Sequence, residues 1–253
     1  MVRWTAALLA ALACTLWTTA ADAAGPFANW AAVVVSGDFH ASHTGEPSDT
    51  FDNARRDVAA ELVRKGFSAG NLLQFSARPD HYPGAKLGKS DVESISDGLH
   101  DVTAHARGGC LAYFTSHGAP SGVVIGDEIV SPTRILEMIG ESCGERPTIV
   151  ILSACFSGVF VPALADANTM VMTAARPDRT SFGCGATDKY PYFDACVLQV
   201  MPSAHDFIAL ATAVKQCVAD KETEMGAQPP SEPQIFVGPG LRPFLPLMAF
   251  ASG

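Results

Sequence analysis

The tightest constraint on this chain is a rhythm in which short apolar, β-branched runs alternate with stretches whose apolar residues recur every three to four positions. Residues 31–36 (AAVVVS), 71–76 (NLLQFS), 110–116 (CLAYFTS), 148–153 (TIVILS), 168–173 (NTMVMT) and 234–237 (QIFV) read as strands. The first and fourth are apolar almost throughout, as strands buried on both faces are. The last follows the prolines of segment 229–233, which an edge position tolerates.

Helical stripes fill the intervals. Phe51, Ala54, Val58 and Leu62 form the first, stopped at Gly66. Val92, Ile95, Leu99 and Val102 form the second, behind a Ser90/Glu93 capping box. Ile135, Met138 and Ile139 follow Ser131-Pro132, an N-cap and first helical residue. After a polar, glycine-containing loop at 176–189 come two more helical patterns. The second places Phe207, Leu210, Ala211, Val214, Cys217 and Val218 on one face, with Ser203 and Asp206 as a capping box. Residues 123–130 read as a small hairpin turning at Gly126-Asp127, outside the main sheet.

Strands separated by helices imply an α/β fold: a three-layer sandwich with a mostly parallel sheet and helices on both faces, since parallel neighbours need crossover connections. In such sheets the ligand site lies beyond the carboxyl ends of the strands. With 253 residues, 48% hydrophobic and 17% charged, one globular domain over residues 24–253 is expected. A formal net charge of -9 repels phosphate backbones and anionic lipid, so nucleic acid and stable membrane association are not expected.

Residues 1–23 read as a secretory signal: Arg3, an apolar stretch over 6–16, and the small-x-small site Ala21-Asp22-Ala23. The run is too short to span a bilayer, which needs about 20 apolar residues. A periplasmic or extracellular protein beginning near Ala24 is expected, with lipidation at Cys14 the alternative. Cys110, Cys143, Cys155, Cys184, Cys196 and Cys217 survive that cleavage. If Cys155 stays a thiol, five remain and cannot all pair; their connectivity is not legible in the spacing.

Two strand ends carry chemistry. The third strand runs into His117-Gly118 and the fourth into Ala154-Cys155. Consecutive elements are often neighbours, so these ends bring an imidazole towards a thiol. An imidazolium, or a helix starting just after Cys155, would favour the thiolate. The amides of Gly118 and Cys155 would cradle an oxyanion, glycine allowing close backbone approach. Taken singly, a strand-end cysteine is more often packing and a lone histidine more often structural.

Tyr113-Phe114-Thr115-Ser116-His117-Gly118 and Ser153-Ala154-Cys155-Phe156-Ser157-Gly158 together resemble the legumain-like family of cysteine peptidases, relatives of caspases and gingipains. Residues 173–184 (TAARPDRTSFGC) resemble its substrate-pocket loop, and the likeness extends over most of the chain after residue 23, most closely to bacterial members without a long C-terminal prodomain. It implies a caspase-like fold with six strands in the order 2-1-3-4-5-6 and a dyad of Cys155, the nucleophile, and His117, the acid-base partner. That order makes the first and third strands neighbours, so Asp38 is a candidate orienter of His117, its other reading being a solvated loop carboxylate.

Eukaryotic legumains carry an Asn and an Arg-His pair where this chain reads GDFHASHTGEPSD. Asp38, His40 and His43 also admit a metal reading, though they lack a fourth ligand. Ser153, Arg179, Ser181 and Asp194 are substrate-binding candidates, joined in the pocket region by Arg176 and Asp178. Both charge signs are present, so the preferred residue stays open. The resemblance implies a peptide or protein substrate, no cofactor and no metal, and hydrolysis through a thioester. Transpeptidation through that thioester, and a non-catalytic peptide-binding protein on the same fold, are the alternatives.

Overall fold

A computed structural model describes residues 25–251; residues 1–23, where a secretory signal is expected, and Cys14 among them lie outside the described residues. The main sheet contains β1 (Trp30–Ser36), β2 (Leu72–Ser76), β3 (Gly88–Lys89), β4 (Gly109–Thr115), β8 (Thr148–Ser153), β9 (Thr169–Thr173) and β10 (Gln234–Val237). A second sheet of β5 (Gly118–Ala119), β6 (Gly122–Ile125) and β7 (Glu128–Val130) holds the expected hairpin. The main order is β10-β9-β8-β4-β1-β2-β3, parallel except for β10, which pairs antiparallel with β9 at the edge. Six of these strands follow the expected order. The two-residue β3 extends the far edge, and its Gly-Lys sequence carries no apolar signal.

The helices are α1 (Thr50–Arg64), α2 (Val92–Thr103), α3 (Pro132–Cys143), α4 (Val161–Leu164), α5 (Tyr192–Val200) and α6 (Phe207–Met225). Alternate strand residues divide between two cores, as the two-residue side-chain period requires. Ala32, Val34, Leu111, Tyr113, Ile149 and Ile151 face α1, α5 and α6. Val33, Val35, Ala112, Phe114, Val150 and Leu152 face α2 and α3. The expected stripe residues Phe51, Ala54, Val58, Leu62, Ile95, Leu99, Ile135 and Met138 are all buried.

Two capping boxes are corrected. The N-cap of α2 is Asp91, which accepts from the Ser94 amide at 2.8 Å, while Ser90 is buried and donates to the Ser36 carbonyl at 2.7 Å. Asp206, expected as the far member of a box, itself caps α6 by accepting from the Ile208 and Ala209 amides. A carboxylate at an N-cap satisfies orphan amides and sits favourably at the positive end of the helix.

Disulfides join Cys110 to Cys143, tying the start of β4 to the end of α3, and Cys196 to Cys217, tying α5 to α6. Cys155 and Cys184 are free. The bridges close 33 and 21 residue separations. Replacing either pair by alanine is expected to lower unfolding stability by about 3–4 kcal/mol, read as the shift in a denaturant midpoint.

Candidate active site

Because β1, β4 and β8 are adjacent and parallel, their carboxyl ends open on one side of the sheet. His117 lies two residues beyond β4 and Cys155 two beyond β8; Thr115 and Ser153, just inside, are register partners. His117 and Cys155 line a common cavity of about 460 Å³, together with Gly118, Ser181, Cys184 and Asp188.

The small sheet fixes the His117 side of this cavity. The Val124 amide donates to the His117 carbonyl at 2.9 Å, and Ser116 Oγ donates to the Val124 carbonyl at 2.7 Å. Gly37 also packs here: its amide donates to the Thr115 carbonyl, and a Cβ on it would fall 2.2 Å from the Val124 oxygen. Gly118 packs directly against the neighbouring strand end, since a Cβ there would meet the Cys155 carbonyl oxygen at 2.1 Å. Only glycine fits that gap.

The His117 ring is held by backbone and by an aromatic edge. Its Nε2 lies 2.8 Å from the His40 carbonyl oxygen, and the ring meets Phe51 edge-on with centroids 5.0 Å apart. A carbonyl only accepts, so Nε2 carries a proton and Nδ1 is the nitrogen left to take one up. Direct orientation by Asp38 is therefore corrected. Asp38 Oδ1 accepts from the Phe39 amide at 2.6 Å and the His40 amide at 3.1 Å, and pairs with His40 Nδ1 at 2.7 Å. A carboxylate close to its own following amides closes a local turn. Asp38 thus shapes the segment whose carbonyl holds His117.

Cys155 is half-buried, and its sulfur is surrounded by Ser181: the Ser181 amide donates to Sγ at 3.3 Å, and the Ser181 Oγ lies 3.5 Å away. Among the described residues no hydrogen bond joins this sulfur to the His117 ring, so the two face the cavity without closing on each other. Burial pushes the Cys155 thiol pKa up, opposed by the hydrogen bonds from Ser181. The expected helix at Cys155 is also corrected. Phe156 takes the left-handed conformation at φ 57°, a 3-10 turn follows at Ser157–Phe160, and α4 has only 4 residues. So short a helix offers little dipole to a thiolate.

The loop between β9 and α5 forms the opposite wall. It is anchored by the Phe156 amide on the Arg179 carbonyl at 2.8 Å, by Ser42 on the Cys184 carbonyl at 2.8 Å, and by Thr50 Oγ1 on the Asp188 carbonyl at 2.6 Å. Of the four substrate-binding candidates, Ser181 lines the cavity and the other three do not. Arg179 pairs with Asp178 at 3.2 Å, and Arg176 pairs with Asp178 and Glu232. Ser153 and Asp194 are buried and bonded to each other at 2.8 Å. Among the described residues neither lysine nor arginine lines the cavity, whereas Ser42, His43, Thr180, Phe182, Cys184 and Asp188 do. His43, at φ 73°, lines the cavity, and among the described residues no group of three or more His, Cys, Asp or Glu side chains is placed to hold a metal.

Comparison with known proteins agrees with this architecture. The crystal structure of caspase-1 from Spodoptera frugiperda superposes with a TM-score of 0.60 at 16% identity, covering 85% of this chain and 88% of that one. At that identity the likeness establishes a caspase-like fold. Curated proteins give no match. A family model described as the Peptidase C13 family matches residues 89–225, a span that includes the ends of both β4 and β8 and the loop after β9. The chain belongs to the Peptidase C13 family.

Proposed function

We propose that this protein is an exported cysteine-type endopeptidase in which Cys155 is the nucleophile and His117 the acid-base partner. The observation that carries the proposal is the convergence of His117, Gly118 and Cys155 on one cavity from adjacent strand ends. The two disulfides among the described residues support an oxidising compartment.

In the proposed cycle the scissile carbonyl enters between ring and sulfur. Cys155 Sγ attacks the carbonyl carbon while its proton passes to His117 Nδ1, and the amides of Gly118 and Cys155 receive the oxyanion. Collapse breaks the C–N bond as the imidazolium protonates the leaving amine, leaving a thioester. Water, deprotonated by His117, then cleaves the thioester and restores the thiol. An amine in place of water would give transpeptidation from the same intermediate. Burial favours the neutral form of the sulfur, so the cycle is written from the thiol, with His117 taking its proton during attack.

The cavity supports a coarse preference. Asp188 is its carboxylate, and the nearby guanidiniums are engaged with Asp178 and Glu232. Uncharged polar or basic side chains before the cleaved bond are expected to be preferred over acidic ones, as read by profiling the protein on a diverse peptide library. The proposal is tested with a peptide-based electrophile followed by peptide mapping of the adduct. Modification confined to Cys155 is expected; equal labelling of a Cys155→Ser variant would remove that residue as nucleophile.

Gly118 gives a sharper test of geometry. Gly118→Ala forces the Cys155 carbonyl to move, because the new methyl would lie 2.1 Å from it. A fall in kcat of about 100-fold or more is expected, the scale of a misplaced reacting group or a lost oxyanion donor. Gly140→Ala, on α3 in open space, serves as the control with unchanged kinetics.

A further inference from the structure

Beneath the cavity lies a fully buried carboxylate that the proposed chemistry does not use. Asp194, in the first turn of α5, accepts from three hydroxyls: Tyr113 on Oδ1, and Thr115 (2.7 Å) and Ser153 (2.8 Å) on Oδ2. Among the described residues its hydrogen-bond partners are these hydroxyls and no cation, and burial pushes its pKa up to about 6 against their pull. A buried anion held by neutral donors alone is an expensive arrangement. Its position suggests what it accomplishes. Thr115 precedes His117 by two residues and Ser153 precedes Cys155 by two, so a single oxygen receives the hydroxyls at the ends of both strands.

We propose that Asp194 is a positioning residue whose Oδ2 clamps the ends of β4 and β8 together, setting how His117 and Cys155 face a shared substrate carbonyl. The role rests on the peptidase reading above, and the clamp itself has a readout that does not. The backbone alone joins these ends at one further point, the Ser116 amide on the Ser153 carbonyl at 3.0 Å. Past that bond the chains leave the sheet, Ser116 bonding to the small sheet and Cys155 leading into the left-handed turn at Phe156. The side-chain clamp therefore acts on the last paired residues of the ladder, Thr115 and Ser153. Tyr113 fixes the other carboxylate oxygen and with it the rotamer of Asp194.

The test compares Asp194→Asn, Ser153→Ala, Thr115→Val and Thr115→Ser on a peptide substrate, with amide hydrogen exchange followed at residues 115–118 and 153–156. Asp194→Asn alters the shared oxygen site without changing its volume, and Ser153→Ala removes one arm, so folding failure in one variant does not decide the matter. A fall in kcat of about tenfold or more with KM nearly unchanged is expected for Ser153→Ala and Thr115→Val, the scale of displacing a reacting group. Thr115→Ser, which keeps the hydroxyl, is expected to retain activity. Ser153→Ala is also expected to speed exchange at 115–118, on the strand that was not altered. Unchanged kcat with faster exchange confined to 153–156 would overturn the clamp, as would a rise in KM at constant kcat, which would make the network a substrate contact. If the wild type turns over no peptide but exchange remains coupled across the two ends, the clamp stands and the peptidase reading fails.

Discussion

Cys155→Ala is expected to lower kcat/KM for peptide hydrolysis by about four orders of magnitude or more, leaving only background from binding and oxyanion stabilisation. The fold is expected to survive the change. Cys155 is half-buried, its sulfur touches Ser181 through weak hydrogen bonds, and it takes part in neither disulfide. Removing one sulfur there is expected to shift stability by roughly 1 kcal/mol, within the ordinary range for single substitutions. Residual turnover near the wild-type rate in the alanine variant would exclude the thioester route. The thiol also has a pH signature. Burial favours the neutral form and raises its pKa, so the thiolate fraction grows only as pH climbs past the usual thiol value of about 8.5. Alkylation of the resting protein by a small haloacetamide should therefore keep accelerating above that pH. A plateau at neutral pH would mean a preformed thiolate and a different division of labour with His117.

How much of this was legible before the structure depends on what each feature is made of. Segments 148–153 and 234–237 match β8 and β10 residue for residue, because apolar β-branched runs between breakers have few other fates. The strand β3 escaped because two residues, Gly88 and Lys89, offer no periodicity. Ser90 and Asp91 both qualify as N-caps by type; a buried acceptor on β1, the Ser36 carbonyl, claims the serine and leaves the cap to the aspartate. The cysteine pairing follows from which strand end meets which helix, information that spacing along the chain does not contain.

The site divides the same way. Cys155, His117, Gly118 and Ser181 were recoverable because they sit where a strand stops, or in a loop long enough to form a wall. The group that holds His117 was not, since it is a peptide carbonyl of His40 and any residue supplies one. Asp38 was the right segment with the wrong partner: its own following amides and the His40 ring lie nearer than His117 does. Asp194 reads in the sequence as a substrate-binding candidate, yet α5 turns it inward onto three hydroxyls. Asp188, a few residues earlier in a loop with no periodic pattern, takes the place on the cavity wall.

His117→Ala is expected to reduce kcat by about 10²–10⁴-fold, the usual contribution of a positioned general acid-base group, while alkylation of Cys155 by a small haloacetamide continues. The two readouts separate because the imidazole makes no hydrogen bond to the sulfur in the resting site, so its loss removes a proton carrier and leaves the nucleophile in place. His117→Gln keeps a polar side chain without a titrating ring and should fare no better. Asp38→Asn is expected to have a far smaller effect, because it acts only by loosening the turn that presents the His40 carbonyl. Were Asp38→Asn as damaging as His117→Ala, the turn would have to close differently when substrate binds, bringing the carboxylate itself onto the ring. Were His117→Ala nearly silent, the proton of the leaving amine would need another donor. Among the described residues, His43 is the other imidazole on the cavity wall, which makes His43→Ala in the His117→Ala background the decisive comparison.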